Sequence, residues 1–249
     1  MNNIPAARTG WITYDAFTGP TLEPSLWEPL DFGSGPRLEP EARTTVENGV
    51  VTVEVPRFMN CDENNQGLDN AKHLIVTKRG VRLPADDAGR FAVDLHVEVG
   101  DGSGDYRQGL ASFILVDTTG GTPLVLSIFS NGDRFFAEQE VLGVPGQEHP
   151  FTRVIEDPFF FSRAANLWDP EFRHCEIAID RSRGRVVWTI DGRVLHDAGG
   201  LTGLPEEVHM AFGMFTLLPI GEGEGSCHGQ GGRASWRNFE YSLPAEEER

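Results

Sequence analysis

A chain of 249 residues is long enough for a large all-β domain, and its 29 glycines and 16 prolines, spread between short apolar runs, exclude a helical architecture. The 38 acidic against 21 basic residues give a net charge of −17 without a Lys/Arg cluster that could track a phosphate backbone, which excludes nucleic acid as a partner. No apolar run reaches membrane-spanning length and the first residues lack a basic-then-apolar secretory pattern, so the expected location is cytoplasmic, with no membrane partner.

In chain order, alternating apolar and polar residues predict strands over 50–55, 73–78, 91–99, 109–117, 123–130 and 134–142. Further strands are predicted over 174–181, 185–197, 208–217 and 233–243, with Asp191-Gly192 as a tight hairpin turn inside the second of these. Two segments fit no simple hairpin. Residues 143–172 carry four prolines and an aromatic group including Phe160 and Trp168, and residues 219–232 hold six glycines. The first reads as a long connection that caps an apolar surface, the second as a turning loop. Ten or more short strands without helical crossovers predict an all-β antiparallel sandwich, with residues 1–249 forming one domain.

Cys61, Cys175 and Cys227 are odd in number and far apart, which argues against a disulfide framework and against a zinc knuckle. His174-Cys175 and Cys227-His228 are sequence neighbours, and neighbours on a strand point to opposite faces. No metal site is assigned and no cofactor is expected, with structural calcium on the acidic stretch 62–70 left open. The Gly229-x-Gly231-x-x-Ala234 match to a dinucleotide fingerprint is rejected, because a strand follows it where a helix is needed. Serine-esterase, zincin and P-loop motifs are absent.

Titratable side chains concentrate on the strand FAVDLHVEV, where Asp94, His96 and Glu98 share one face. A histidine between two carboxylates is suited to proton transfer, and the competing reading is a wet outer face. Tyr106, Gln108 and Ser112 share a face on the next strand and offer hydrogen-bonding groups to a groove. Glu138 and Glu140 share a face two residues apart. They resemble a general acid and base as well as a solvated edge, and the edge is the reading favoured. Ala211 and Gly213 are small residues on one face of 208–217, where a ligand or close sheet packing accounts for them. His228 and Gln230, ahead of the last strand, are candidate contacts at one end of a groove.

The stretch FRHCEIAIDRSRGRVVWTIDGRVL (172–195), above all Trp188 and the Asp191-Gly192 turn, resembles the concanavalin A-like and laminin G-like jelly-roll superfamily. The opening YDAF with Leu26-Trp27, and the closing WRNFEY, are similar to the same superfamily. The resemblance implies two curved antiparallel sheets packed face to face, first and last strands paired, and a ligand groove on the concave sheet, with Trp188 a further candidate contact. In its glycan-hydrolase branch one groove strand carries Glu-x-Asp-x-Glu, or a bulged form with one more residue before the last Glu. Asp94-Leu-His96-Val-Glu98 resembles that row with the first Glu shortened and the middle Asp replaced.

Together these features lead to an expectation of an intracellular isomerase, cyclase or lyase acting on a small, partly apolar organic substrate. In it His96 transfers a proton, Asp94 and Glu98 tune it, Tyr106, Gln108, Ser112 and Glu138 contact the substrate, and Phe160 and Trp168 exclude water. Two other classes stay open: a carbohydrate-binding protein or glycoside hydrolase, and a non-catalytic interaction module. The substrate's identity and the oligomeric state are left open.

Overall fold

The computed structural model describes residues 10–31, 35–36, 38–59, 70–99, 109–117, 124–132, 134–141, 151–156, 172–219 and 230–244. Tyr106, Gln108, Phe160, Trp168, His228, Cys61, Cys227 and the acidic stretch up to residue 69 lie outside them. Every regular element among the described residues is a strand. In chain order these are β1 (Ile12–Asp15), β2 (Trp27–Pro29), β3 (Arg43–Glu47), β4 (Val50–Val55), β5 (Asn70–Thr77) and β6 (Val81–Arg82). The middle of the chain supplies β7 (Ala88–Val99), β8 (Leu110–Val116), β9 (Leu124–Ser130), β10 (Phe135–Val141) and β11 (Phe151–Glu156). The last part adds β12 (Arg173–Asp180), β13 (Arg185–Ile190), β14 (Arg193–Ala198), β15 (Glu207–Pro219) and β16 (Gly232–Ser242).

They form two antiparallel sheets, the expected sandwich. Sheet I runs β14-β13-β12-β7-β16-β4-β3, with β1 beside β16, so the first and last strands pair as the resemblance implies. Sheet II runs β11-β10-β9-β8-β15-β5-β2, with β6 on β15. Asp191 and Gly192 take positive φ of 50° and 76°, the left-handed pair that a two-residue hairpin demands. One correction concerns 143–172: its FTRVIE stretch is β11, paired to β10 from Phe136↔Glu156 to Val141↔Phe151, and not part of an unbroken connection.

Period-two alternation sends one side of every long strand into a shared core. From sheet I come Val51, Val53 and Val55, Phe91, Val93 and Leu95, Cys175, Ile177 and Ile179, and Trp188 and Trp236. From sheet II come Phe113, Leu115, Leu126, Ile128, Met210, Phe212 and Met214. Trp27 lies at the centre of an aromatic group, 5.1 Å from Phe212 and 5.2 Å from Phe239 between ring centroids. The Trp236 indole N–H donates to the Ser112 carbonyl at 3.0 Å, tying sheet I to the backbone of sheet II.

His73 begins the inner row of β5 and is 7 % exposed. Its Nδ1 accepts the Glu39 backbone N–H at 3.2 Å, and burial lowers its pKa from 6.5 to about 4. The unfolded chain therefore takes up this proton first. Stability present above pH 6.5 falls as the pH drops toward 4, by about 3 kcal/mol from this group. In urea titrations, His73→Gln is expected to lose less stability than wild type between pH 6.5 and 4.5; parallel losses in the two proteins would remove His73 as a cause.

Candidate functional site

The predicted row Asp94, His96, Glu98 lies on β7 in sheet I, facing out of the sandwich. There it is a structural network. Asp94 accepts from His174 Nδ1 at 2.9 Å, Asn238 Nδ2 at 2.8 Å and Arg237 Nε at 3.3 Å. Burial raises the Asp94 pKa, but the bonds from His174 and Asn238 and the nearby cations outweigh it and lower the carboxyl below its usual range. Asn238 reaches Asp94 through a β-bulge in β16, where its φ is +57°. His96 Nε2 pairs with Glu98 Oε1 at 3.1 Å, on a half-exposed surface.

The assignment of Asp94, His96 and Glu98 as a groove acid/base unit is therefore corrected: Asp94 is occupied by three donors, and the row lies on the sheet opposite the recess described below. Asp94→Asn is expected to cost about 2–3 kcal/mol in chemical denaturation, because it weakens charge-assisted bonds of a largely buried carboxylate. A cost below about 0.5 kcal/mol would contradict that role.

Trp188 is also corrected. It is fully buried on the core face of β13 between Val186 and Ile190, and its ring stacks on His196 at 5.4 Å, out of reach of any substrate. Cys175 is in the core while its neighbour His174 faces outward, as the strand geometry requires, so the two cannot share a metal. Among the described residues, no group of three His, Cys, Asp or Glu is placed to hold a metal ion. Gln230 stands just before β16, half-buried, with its carbonyl accepting the Phe58 N–H at 3.1 Å.

Sheet II has a different outward face. A solvated sheet face carries polar, exposed positions, yet here the outward residues are buried across five strands. Leu74 and Val76 of β5, Ile114 and Val116 of β8, Val125 of β9 and Ala211 of β15 form one apolar cluster with Leu30. Leu110, Phe129, Phe136 and Phe215 form another, with Phe129 and Phe136 stacked at 5.0 Å. The outward face of sheet II is thus recessed beneath the molecular surface rather than solvated, and four polar side chains are buried within it: Lys72, Ser112, Ser127 and Glu138.

Register brings Glu138 of β10 directly opposite Ser127 of β9, whose neighbour on β8 is Ile114. The Ser127 hydroxyl donates to Glu138 Oε2 at 2.7 Å. Glu138 is 8 % exposed; burial above all, and then the charge of Glu140, raise its pKa from 4.5 to about 7, against the opposing pull of Ser127 and Lys72. At neutral pH it is thus a carboxyl poised to give up a proton. The expectation of a solvated edge is corrected for Glu138 by this burial, while Glu140, next on the same face, is half-buried. Ser112 faces the same recess, but its hydroxyl donates to the Gly213 carbonyl at 3.3 Å and serves the sheet.

Of the predicted contacts, Ser112 and Glu138 share this face; Trp188 and the Asp94 row do not. Sequence reasoning missed Ser127 and Lys72. The signal for Ser127 was a polar residue at the centre of the otherwise apolar stretch Leu124–Phe129.

The fold is shared with solved glycan hydrolases. Endo-1,3-β-glucanase from Streptomyces sioyaensis superposes with a TM-score of 0.56 at 13% identity, over 96% of this chain and 99% of that one. Porphyranase B from Zobellia galactanivorans gives 0.59 at 12%, over 93% of each chain. The Bacillus licheniformis β-glucanase gives 0.54 at 13%, over 95% and 99%. The architecture is therefore a concanavalin A-like jelly roll, as the resemblance implied. These neighbours are hydrolases, which overturns the expectation of an isomerase, cyclase or lyase, as does the loss of its proposed catalytic row to sheet I. Neither Glu-x-Asp-x-Glu nor its bulged form occurs anywhere in the chain. No curated protein matches it. A family model does match, over residues 14–243, and the chain belongs to that family, described as a family of unknown function (DUF6081).

Proposed function

We propose that the protein is a carbohydrate-active enzyme that cleaves a glycosidic bond on the recessed face of sheet II. Glu138 protonates the leaving oxygen as the C–O bond breaks, and Glu140 assists attack at the sugar carbon, with water completing the hydrolysis. The observation that carries the reading is the buried Glu138 carboxyl, held by Ser127 at 2.7 Å beside a second carboxyl on the same face. Glycoside hydrolysis uses such a pair, one member protonated and the other ionised. Residues two apart on a strand start about 6.7 Å apart at Cα, close enough for both carboxyl groups to flank one bond. The glucanases and porphyranase of the same fold support a sugar as the substrate.

A second reading, sugar binding without cleavage, is favoured by the absence of the Glu-x-Asp-x-Glu row. Measuring reducing-end release from β-glucosides and gluco-oligosaccharides separates the two. The hydrolase reading expects turnover in wild type that Glu138→Gln and Glu140→Gln each reduce by at least about 100-fold. Binding without release would favour the second reading, and equal turnover in Glu138→Gln would remove Glu138 from the reaction.

A further inference from the structure

The two oxygens of the Glu138 carboxyl have different surroundings. Oε2 accepts the Ser127 hydroxyl at 2.7 Å. Oε1 accepts from no donor among the described residues, yet it is not one of the enclosed side-chain atoms left without a partner, so the slight exposure of Glu138 includes this oxygen. A protonated oxygen is the poorer acceptor, and a hydroxyl that donates to Oε2 therefore leaves the carboxyl proton on Oε1. The acid turns its proton outward and its bonded oxygen toward the sheet.

Ser127 has little choice of partner. It is 1 % exposed at the centre of β9, where its same-face neighbours along the strand are Val125 and Phe129 and its partner on β8 is Ile114, none with a side-chain acceptor. Register puts Glu138 directly opposite it on β10, with Val154 of β11 on the far side. Among the described residues, Ser127 bonds the carboxyl directly, whereas Glu140 and Lys72 act on it through their charge. A hydroxyl bonds a carboxylate about twice as strongly as it bonds a neutral carboxyl, so the Ser127 bond tightens as Glu138 gives up its proton. An interaction that grows along the reaction in this way lowers the barrier rather than the ground state.

We propose that Ser127 is a positioning residue for the acid: it fixes the transferable proton on Oε1 and stabilises the carboxylate that forms on donation. The leaving oxygen takes the Oε1 proton together with the electron pair of the breaking C–O bond. The pair that the proton leaves behind spreads over the carboxylate to Oε2, where the Ser127 hydroxyl meets it. The part played in the reaction rests on the hydrolase reading; the hold on the carboxyl rests on the hydrogen bond alone.

Ser127→Ala in the full chain tests both. The first readout needs no turnover: in NMR titration of protein labelled with ¹³C-glutamate, the Glu138 midpoint of the variant should lie about half a pH unit or more above that of wild type, because the ionised form has lost its bond. The second is the pH profile of reducing-end release from β-glucosides and gluco-oligosaccharides. The alkaline fall in rate, where the acid loses its proton, should move up with the midpoint, while the maximum rate drops about tenfold or more. Lost packing alone would lower the rate and move neither. If Ser127→Ala does not fold, Ser127→Cys, whose thiol is a weak donor, should shift both readouts in the same direction. An unmoved Glu138 midpoint would overturn the inference whatever the turnover. A raised midpoint with an unmoved pH profile would remove Ser127 from the reaction, and a raised midpoint in a protein without hydrolysis would sink the hydrolase reading while keeping the hold of Ser127 on the carboxyl.

Discussion

Glu138→Gln is expected to stop turnover and, at the same time, to make the protein more stable than wild type above neutral pH. The two effects have one cause. The folded carboxyl has a pKa of about 7 against 4.5 when unfolded, because burial and the charge of Glu140 penalise the ionised form. The folded state therefore holds its proton more tightly, and the stability this group contributes is fully present below pH 4.5 and is lost as the pH rises through 7. The gap corresponds to about 3 kcal/mol once both states are ionised. Glutamine keeps an acceptor for the Ser127 hydroxyl and never ionises, so it escapes the penalty. Urea titrations should find wild type and variant alike near pH 4.5, with the variant ahead by up to about 3 kcal/mol at pH 8. A difference that does not change with pH would mean that Glu138 is not a buried acid. Losing the proton donor should cost about 10²–10⁴ in rate.

Gly213→Ala is the substitution with the largest expected cost to folding. Gly213 sits where β15 is clasped by β8 and β5, paired with Ser112 and Leu74, at φ +150°. A β-carbon there would run into the His73 carbonyl oxygen and crowd the Leu74 Cα. Both obstacles are backbone, so relief requires β5 to move away from β15. That movement would break ladder bonds, shift Leu74 and Val76 on the recessed face and disturb His73 on the inner one. A loss of about 3–5 kcal/mol, roughly 10 °C in melting temperature, is expected. Gly192→Ala is the control. Gly192 also has a positive φ, 76°, but a β-carbon there meets nothing within 4 Å, so only backbone strain of about 1 kcal/mol remains. Equal melting temperatures for the two variants would contradict the close approach of β5 to Gly213.

The sandwich was legible because its strands alternate. In FAVDLHVEV the apolar set is the core set, and the polar set faces out. What alternation does not encode is which sheet a strand joins. Asp94 binds His174, Arg237 and Asn238, 80 to 144 residues away, so no local pattern could identify it as an anchor. Glu138 and Glu140 were legible as a same-face pair. That the pair sits in a recess depends on the outward residues of β5, β8, β9 and β15, which are all distant in sequence. β8 and β9 are buried on both faces, so their sequences read as continuous apolar runs and hide the outward side.

Other errors had local remedies. RVVWTI places Trp188 on the same side as Val186 and Ile190, which marks it as core. Asn48-Gly49, with φ of 52° and 79°, is a hairpin signal between β3 and β4. FTRVIE alternates like a strand, but the prolines around it made the whole segment look like connection.

The central claim is that the Glu138 carboxyl, on the recessed face of sheet II, titrates near neutral pH and so still holds its proton in about half of the molecules there. The most direct measurement is the titration of its own carboxyl carbon, by NMR of protein labelled with ¹³C-glutamate and assigned by subtraction of the Glu138→Gln spectrum. A resonance titrating near pH 7 is the predicted result. A resonance titrating near 4.5, among the exposed glutamates, would contradict the account.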